Sequence, residues 1–202
     1  MRPGLSVVSA TPSAEMGRPA PLPIHGETGA DMDLILRELT DNDEAAFRAG
    51  MNEWVGESPY WYSFAWKEGM TYPEMLEILR NEAKGINMAP GRVQHTMHYG
   101  FVGGEIIGRL SVRHVLNHYL RKRGGHIGYA VAPRFRKKGY ATEMVRQGIA
   151  FCRGLGLSEV MITCLDTNVP SYKIIESFGG RLQDTVWDEE DSEIRRRYWI
   201  LL

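Results

Sequence analysis

The stretch RFRKKGYATEM, residues 134–144, sets Arg134, Arg136, Lys137 and Lys138 beside Gly139 and then runs into a helical pattern. Just upstream, GHIGYAVAP (125–133) alternates like a short strand and ends on proline. Downstream, Ala141, Val145, Gly148 and Cys152 share one face of a helix over 139–153, with Met144 and Ile149 alongside. A strand therefore feeds a helix through a basic, glycine-closed loop. A helix start offers unpaired N–H groups and a partial positive charge. Glycine at 139 lets the backbone approach an anion with no Cβ in the way, and Ala141 and Thr142 keep the next turn small. These amides, with Arg136, Lys137 and Lys138, make a cradle for a pyrophosphate. Read alone, the same run is equally a solvated basic loop with a glycine turn.

The remaining pattern decides what kind of sheet this unit joins. DLILRELT (33–40) reads as a first strand, 41–54 as a helix with an acidic start, and SPYWYSFAW (58–66) as an aromatic loop. A second helix covers 72–85, with Pro73 near its start and Gly85 closing it. HTMHYGFV and EIIGRLSVRH alternate around Gly103-Gly104 as a hairpin. After the central unit come a strand at 158–165, a helix at 170–178 stopped by Gly179-Gly180, and a closing hairpin of RLQDTVW and EIRRRYWIL. That order predicts an α/β (α+β) fold, with helices flanking a mixed sheet.

Composition removes several function classes. A length of 202 residues suits one domain, here 32–202, behind a Pro/Gly/Ser/Ala-rich leader at 1–31 that reads as disordered, with a transit peptide as the alternative. The formal net charge of -1 supplies no field for nucleic acid, although RKR (121–123) and RRR (195–197) are the stretches such a binder would use. No apolar run approaches the ~18 residues of a membrane span. Cys152 and Cys164 form no CxxC and sit in apolar patterns, which points to buried thiols in a reducing, cytoplasmic setting. No HExxH or P-loop string occurs, so no metal site is expected, and Gly154-Leu155-Gly156 ends a helix where a dinucleotide fingerprint would open one.

Arg136-x-x-Gly139-x-Ala141, after a strand and opening a helix, resembles the R/Q-x-x-G-x-G/A loop of the GNAT family of acyl-CoA N-acyltransferases. GHIGYAVAPRFRKKGYATEMV is similar to that family's central strand, phosphate loop and helix. VMITCLDTNVPSYKIIESFGGRL is similar to its next strand, Asn-x-x-Ser/Ala helix and glycine turn, and RRRYWI to its closing strand. The likeness spans roughly residues 33–202, and RHVLN, GGHIGY and RYWI resemble a bacterial branch of predicted acetyltransferases.

The resemblance implies a mixed, twisted sheet whose two parallel strands, 125–133 and 158–165, splay apart to take acetyl-CoA as co-substrate. The main chain of Tyr129 and Val131 would meet the pantetheine arm, and the loop from Arg136 through Lys137, Lys138, Gly139, Tyr140, Ala141 and Thr142 the pyrophosphate. Asn168 and Ser171 would touch the cofactor arm or cap their helix. The reaction is direct attack of a primary amine, on a small molecule or peptide, in a ternary complex. The Val131 amide is the oxyanion donor and His126 the candidate base, with His114 and Glu105 as alternatives. His126 reads equally as a strand histidine bonded to a carbonyl. The family's acid tyrosine falls at position 175, where this chain has Ile175; Tyr172, about one turn earlier, is the substitute or a packing aromatic. That departure suggests a non-catalytic acyl-CoA-binding module as the alternative function. The aromatic stretch Tyr60, Trp61, Tyr62, Phe64 and Trp66, and the polar run Arg113, His114, Asn117 and His118, are candidate acceptor contacts, and a homodimer stays open.

Overall fold

The computed structural model describes residues 33–54, 56–58 and 61–202. The expected leader at 1–31, Met32 and Tyr60 lie outside the described residues. Two sheets carry the molecule. β1 (Ile35–Arg37), β2 (His95–Val102), β3 (Glu105–Arg113) and β4 (Ile127–Val131) form an antiparallel sheet in that order. β5 (Glu159–Leu165), β7 (Glu193–Leu201) and β6 (Arg181–Asp188) form a second, with β7 in the middle.

The helices follow from caps and stripes. α1 (Glu44–Met51) is flanked by single 3-10 turns at Asp41–Asp43 and Asn52–Trp54, so the expected helix over 41–54 is three pieces. Asp43 explains the break at the start. Its carboxylate accepts from the Thr40 amide and from Arg37, both at 2.7 Å, and the Arg37 guanidinium holds it down to about 2. α2 (Tyr72–Lys84) begins in a capping box: Thr71 N–H donates to Glu74 Oε2 at 2.7 Å, and the Glu74 amide donates back to the Thr71 hydroxyl. Met75, Leu76 and Leu79 put its apolar stripe into the core, and Gly85 ends it at φ 70°. α4 (Tyr140–Gly154) buries Met144, Val145, Gly148, Ile149 and Cys152. Gly148 is small because a Cβ there would lie 2.8 Å from Leu110 Cδ1 of β3. α5 (Val169–Ser177) packs Ile175 into the same core. α3 (His118–Lys122) went unanticipated, since five residues are too few to show a period; Asn117 caps it through the Leu120 amide at 2.8 Å.

The second sheet is tied by charge. Arg195 pairs with Asp188 and Asp191, Arg196 with Asp166, and Arg197 with Asp184. Arg123, from the other basic run, also reaches Asp188 and Asp191. All three arginines of 195–197, and Arg123 of the other run, therefore spend their charge on neighbouring carboxylates. No helix among the described residues is long and apolar enough to cross a membrane.

The residues just ahead of β4 meet the middle of β5. Gly125 bridges Ile162, and the His126 amide donates to Met161 O at 2.7 Å, but no ladder continues beyond. The bridge is locally antiparallel, because positive φ at Gly124 and Gly125 (104° and 62°) turns the backbone just ahead of β4.

Candidate active site

The open side of β4 is fixed by its pairing with β3. Gly108 stands opposite Val131, and the Ala132 amide donates to Ile107 O at 3.0 Å. In an antiparallel ladder alternate residues bond to the neighbour, so Tyr129 and Val131 turn their N–H and C=O the other way, toward the gap left by β5. The Val131 carbonyl is met there by Arg136 Nε at 2.9 Å.

After β4 the chain makes a 3-10 turn at Pro133–Phe135 and enters α4 through two left-handed residues, Lys137 (φ 61°) and Gly139 (φ 84°). Gly139 is the N-cap, and no side chain caps the helix. The first intrahelical bond is Glu143 N–H to Gly139 O at 3.2 Å. The amides of Tyr140, Ala141 and Thr142 precede it, so helix geometry provides them no carbonyl. All three residues line a cavity of about 710 Å³, together with Arg136, Lys137 and Gly139. Tyr129, Ala130 and Val131 of β4 form its floor, and Asn168, Pro170, Ser171 and Ile174 from α5 its far wall.

α5 contributes in two ways. Asn168 caps it by accepting from the Ser171 amide at 3.2 Å, while itself lining the cavity. The Ser171 hydroxyl lies 2.9 Å from the Tyr129 hydroxyl, joining β4 to α5 across the cleft. Burial pushes the Tyr129 phenol up to about 12, so it keeps its proton at neutral pH. Burial also raises the Cys164 thiol, and Ser171 partly offsets this.

Three expected site residues stand elsewhere. Lys138 does not line the cavity; its Nζ sits 5.6 Å from the centre of the Phe135 ring. His126 is buried in the seam where β4 and β5 part. Its Nδ1 accepts the Met161 amide at 2.8 Å and its ring meets Trp199 edge-on. Burial pushes it down to about 4, aided by Arg121 and Arg113. The bond runs from a backbone N–H to the ring, the reverse of the carbonyl partner expected, and it ties the imidazole into the seam. Tyr172 turns away from the cavity and lies under the Arg196 guanidinium, 4.2 Å from it. Ile175 is fully buried in the core, so position 175 faces inward and Ile174 holds the cavity wall.

The alternatives sit elsewhere too. His114 Nε2 bonds Thr96 Oγ1 at 2.9 Å, and Glu105 pairs with Arg134 at 3.1 Å. Neither lines the cavity, nor do Arg113, Asn117 and His118. Of the aromatic stretch, Trp61 alone among the described residues lines it. Tyr62 is core, Trp66 packs on Phe47, and Phe64 lies 4.0 Å from the buried Arg109 guanidinium.

Sequence reasoning missed Trp54 and Glu57, which line the cavity beside the loop. Glu57 pairs with Arg136 at 2.7 Å, and Arg134 ties the neighbouring Glu53 to the turn after β4 at 2.7 Å. Neither residue carried a signal: Trp54 ends a 3-10 turn, and Glu57 lies in irregular chain with a pairing that crosses about eighty positions.

The family model described as "Acetyltransferase (GNAT) domain" matches residues 33–181. The chain belongs to the GNAT acetyltransferase family. Curated protein sequences give no match. Solved structures share the GNAT fold at low identity. Mycobacterium smegmatis RimJ in complex with CoA-disulfide superposes with TM-score 0.59 at 21% identity, over 83% of this chain and 81% of that one. RimL, a ribosomal L7/L12 alpha-N-protein acetyltransferase in complex with coenzyme A, gives 0.56 at 15%, over 84% and 94%. A Vibrio cholerae spermidine N-acetyltransferase chimera with hSSAT gives 0.56 at 17%, over 83% and 95%. The β4 edge and the glycine-closed α4 start both lie within the matched stretch.

Proposed function

We propose that this GNAT domain transfers an acetyl group from acetyl-CoA to a primary amine by direct attack in a ternary complex, in the cytoplasm. One observation carries the reading: the uncapped α4 start, with Lys137 and Gly139 in left-handed conformation, opens on the same cavity as the unpaired edge of β4. The amides of 140–142 with Arg136 and Lys137 suit a diphosphate. The N–H and C=O of Tyr129 and the N–H of Val131 suit an extended amide-bearing arm, which would bind as an added strand.

Acetyl-CoA, when bound, supplies an acyl thioester. The chain's own residues do the rest. Val131 N–H faces the cleft and donates to the oxygen that becomes negative. The Tyr129–Ser171 hydroxyl pair holds a proton where the thiolate departs, a place the sequence had offered to Tyr172. Relatives named for a ribosomal-protein α-amine and for spermidine support a peptide or small-molecule amine as acceptor.

A non-catalytic acyl-CoA-binding module is the second reading, favoured by the exclusion of His126 and Tyr172 from the cavity. Thiol release from acetyl-CoA with a panel of amines separates the two. Release with any acceptor supports transfer. Carrier binding by calorimetry with no release for all acceptors supports the module, and no binding heat overturns both.

A further inference from the structure

We propose that Arg196 is a positioning residue for acyl transfer: it sets the roll of α5 and so places the Ser171 hydroxyl beside Tyr129 in the cleft. This rests on the transfer reading above and adds to it a residue outside the cavity. The run Arg195-Arg196-Arg197 lies on β7, where successive side chains point to opposite faces. Arg195 and Arg197 turn toward α3: Arg195 shares Asp188 with Arg123, and Arg197 donates to Arg121 O at 3.0 Å. Arg196 turns to the other face and meets α5.

It holds that helix at two points. Its Nε donates to Asp166 Oδ1 at 2.6 Å, two residues ahead of the Asn168 cap. Its guanidinium lies 4.2 Å from the centre of the Tyr172 ring, in the first turn. Asn168 and Ser171, which line the cavity, stand between those two points in the chain. A second bond extends the hold by one turn. Arg196 Nη1 donates to the Tyr198 hydroxyl at 3.3 Å, and buried Tyr198 donates to Glu176 at 2.8 Å. Tyr172 and Glu176, four residues apart, share the face of α5 that looks at β7.

Ser171 stands about 100° around the same helix, where its Oγ lies 2.9 Å from the Tyr129 hydroxyl. A helix turns as one body, so the face held by Arg196 and the face in the cleft move together. The core does not fix this roll alone. α5 has nine residues, and Ile175 is the one apolar side chain among them that is buried. A roll of about 15–20° carries an oxygen about 4 Å from the axis by about 1 Å, enough to break the Ser171–Tyr129 bond. Displacements of that size at a reacting centre are costly.

The test uses the full chain, acetyl-CoA, and the fastest of three acceptors: propylamine, an Ala-Ala dipeptide amide and spermidine. R196Q lowers kcat about tenfold and leaves acetyl-CoA affinity within about threefold, because the diphosphate loop belongs to α4. Y172L shows a similar loss. Y172F stays within about twofold of wild type, because it keeps the ring that Arg196 covers. R197Q removes the Asp184 pair on the opposite face, so it lowers Tm with kcat within about twofold. On an S171A background, R196Q costs at most about twofold more, since both act through one hydroxyl. Unchanged kcat in R196Q, equal kcat losses in R196Q and R197Q, or losses that multiply with S171A overturn the assignment. So does a loss in Y172F as large as in Y172L, which would make the Tyr172 hydroxyl the working group. Where R196Q fails to fold, Y172L carries the same comparison. Crystal structures with CoA supply a readout apart from turnover. The Ser171–Tyr129 separation opens beyond hydrogen-bond range in R196Q or Y172L and holds in R197Q; an unchanged separation overturns the proposal. Absence of thiol release with all three acceptors counts against the transfer reading, and that separation still decides whether Arg196 places Ser171.

Discussion

The starts of α2 and α4 are opposite solutions to one problem. Each leaves several N–H groups without carbonyl partners. At α2 the chain closes the end with its own atoms: Thr71 and Glu74 exchange bonds, and Pro73 removes a donor. At α4 it offers nothing. The cap is Gly139 at φ 84°, without a side chain, and the first turn faces a cavity. A chain that can write a capping box has left one end open, and the open end is the one flanked by Arg136 and Lys137. On the proposed function, the difference separates a helix start that serves stability from one kept for a ligand.

The sharpest way to break that contrast is Gly139→Glu. A carboxylate then stands in the cradle, at a φ that costs an L-residue about 1 kcal/mol. Acetyl-CoA binding falls at least about 100-fold, worth about 2.7 kcal/mol, while the protein stays folded. Calorimetry with Gly139→Ala as control isolates the charge, because alanine shares most of the strain. Equal losses in the two variants would place the diphosphate elsewhere. Arg136→Gln removes one charge and keeps the loop, so binding weakens about tenfold and its salt dependence becomes shallower. An unchanged salt slope would show that Arg136 serves Glu57 and Val131 alone.

The seam between β4 and β5 sharpens the contrast from the other side, as a place of support. Burial holds His126 neutral in the fold at about 4, below its ordinary 6.5. Between those values the unfolded chain binds a proton that the folded chain refuses, so stability is full above 6.5 and falls as pH drops toward 4. His98, also pushed down to about 4 by burial, acts in the same direction. His126→Asn keeps an acceptor for the Met161 amide and flattens the fall in Tm over that window, with turnover at pH 8 within about threefold of wild type. A tenfold loss of turnover would return His126 to the chemistry.

These results also mark how far the chain could be read. Element order and most bounds were legible, because caps, glycines and apolar periods are local. The loop 136–142 was legible for the same reason: all of its residues but Lys138 reach the cavity through adjacent backbone. Side chains whose roles depend on distant partners were not. His126 was assigned by chain distance from Val131, but its direction is set by Met161 on another strand. Tyr172 was assigned by helical spacing, but Arg196 claims its ring. Trp54 and Glu57 left no trace because the fold alone brings them to β4.

The smallest effect tests the contrast most directly. Thr71→Ala opens the start of α2 by deleting the hydroxyl that accepts the Glu74 amide and donates to its carboxylate. Loss of such a cap costs about 1 kcal/mol. In a domain of this size that lowers Tm by about 2–4 °C. Glu74, held below its ordinary carboxylate range chiefly by Thr71, then titrates closer to normal. Acetyl-CoA affinity does not change, because an uncapped start is not a site without a cavity, a glycine approach and basic neighbours. Thermal melts and calorimetry on one preparation read both quantities. If Thr71→Ala weakened the carrier as much as it lowered Tm, α2 and α4 would belong to one cooperative ligand site, and an open cap could no longer be read as reserved for the diphosphate.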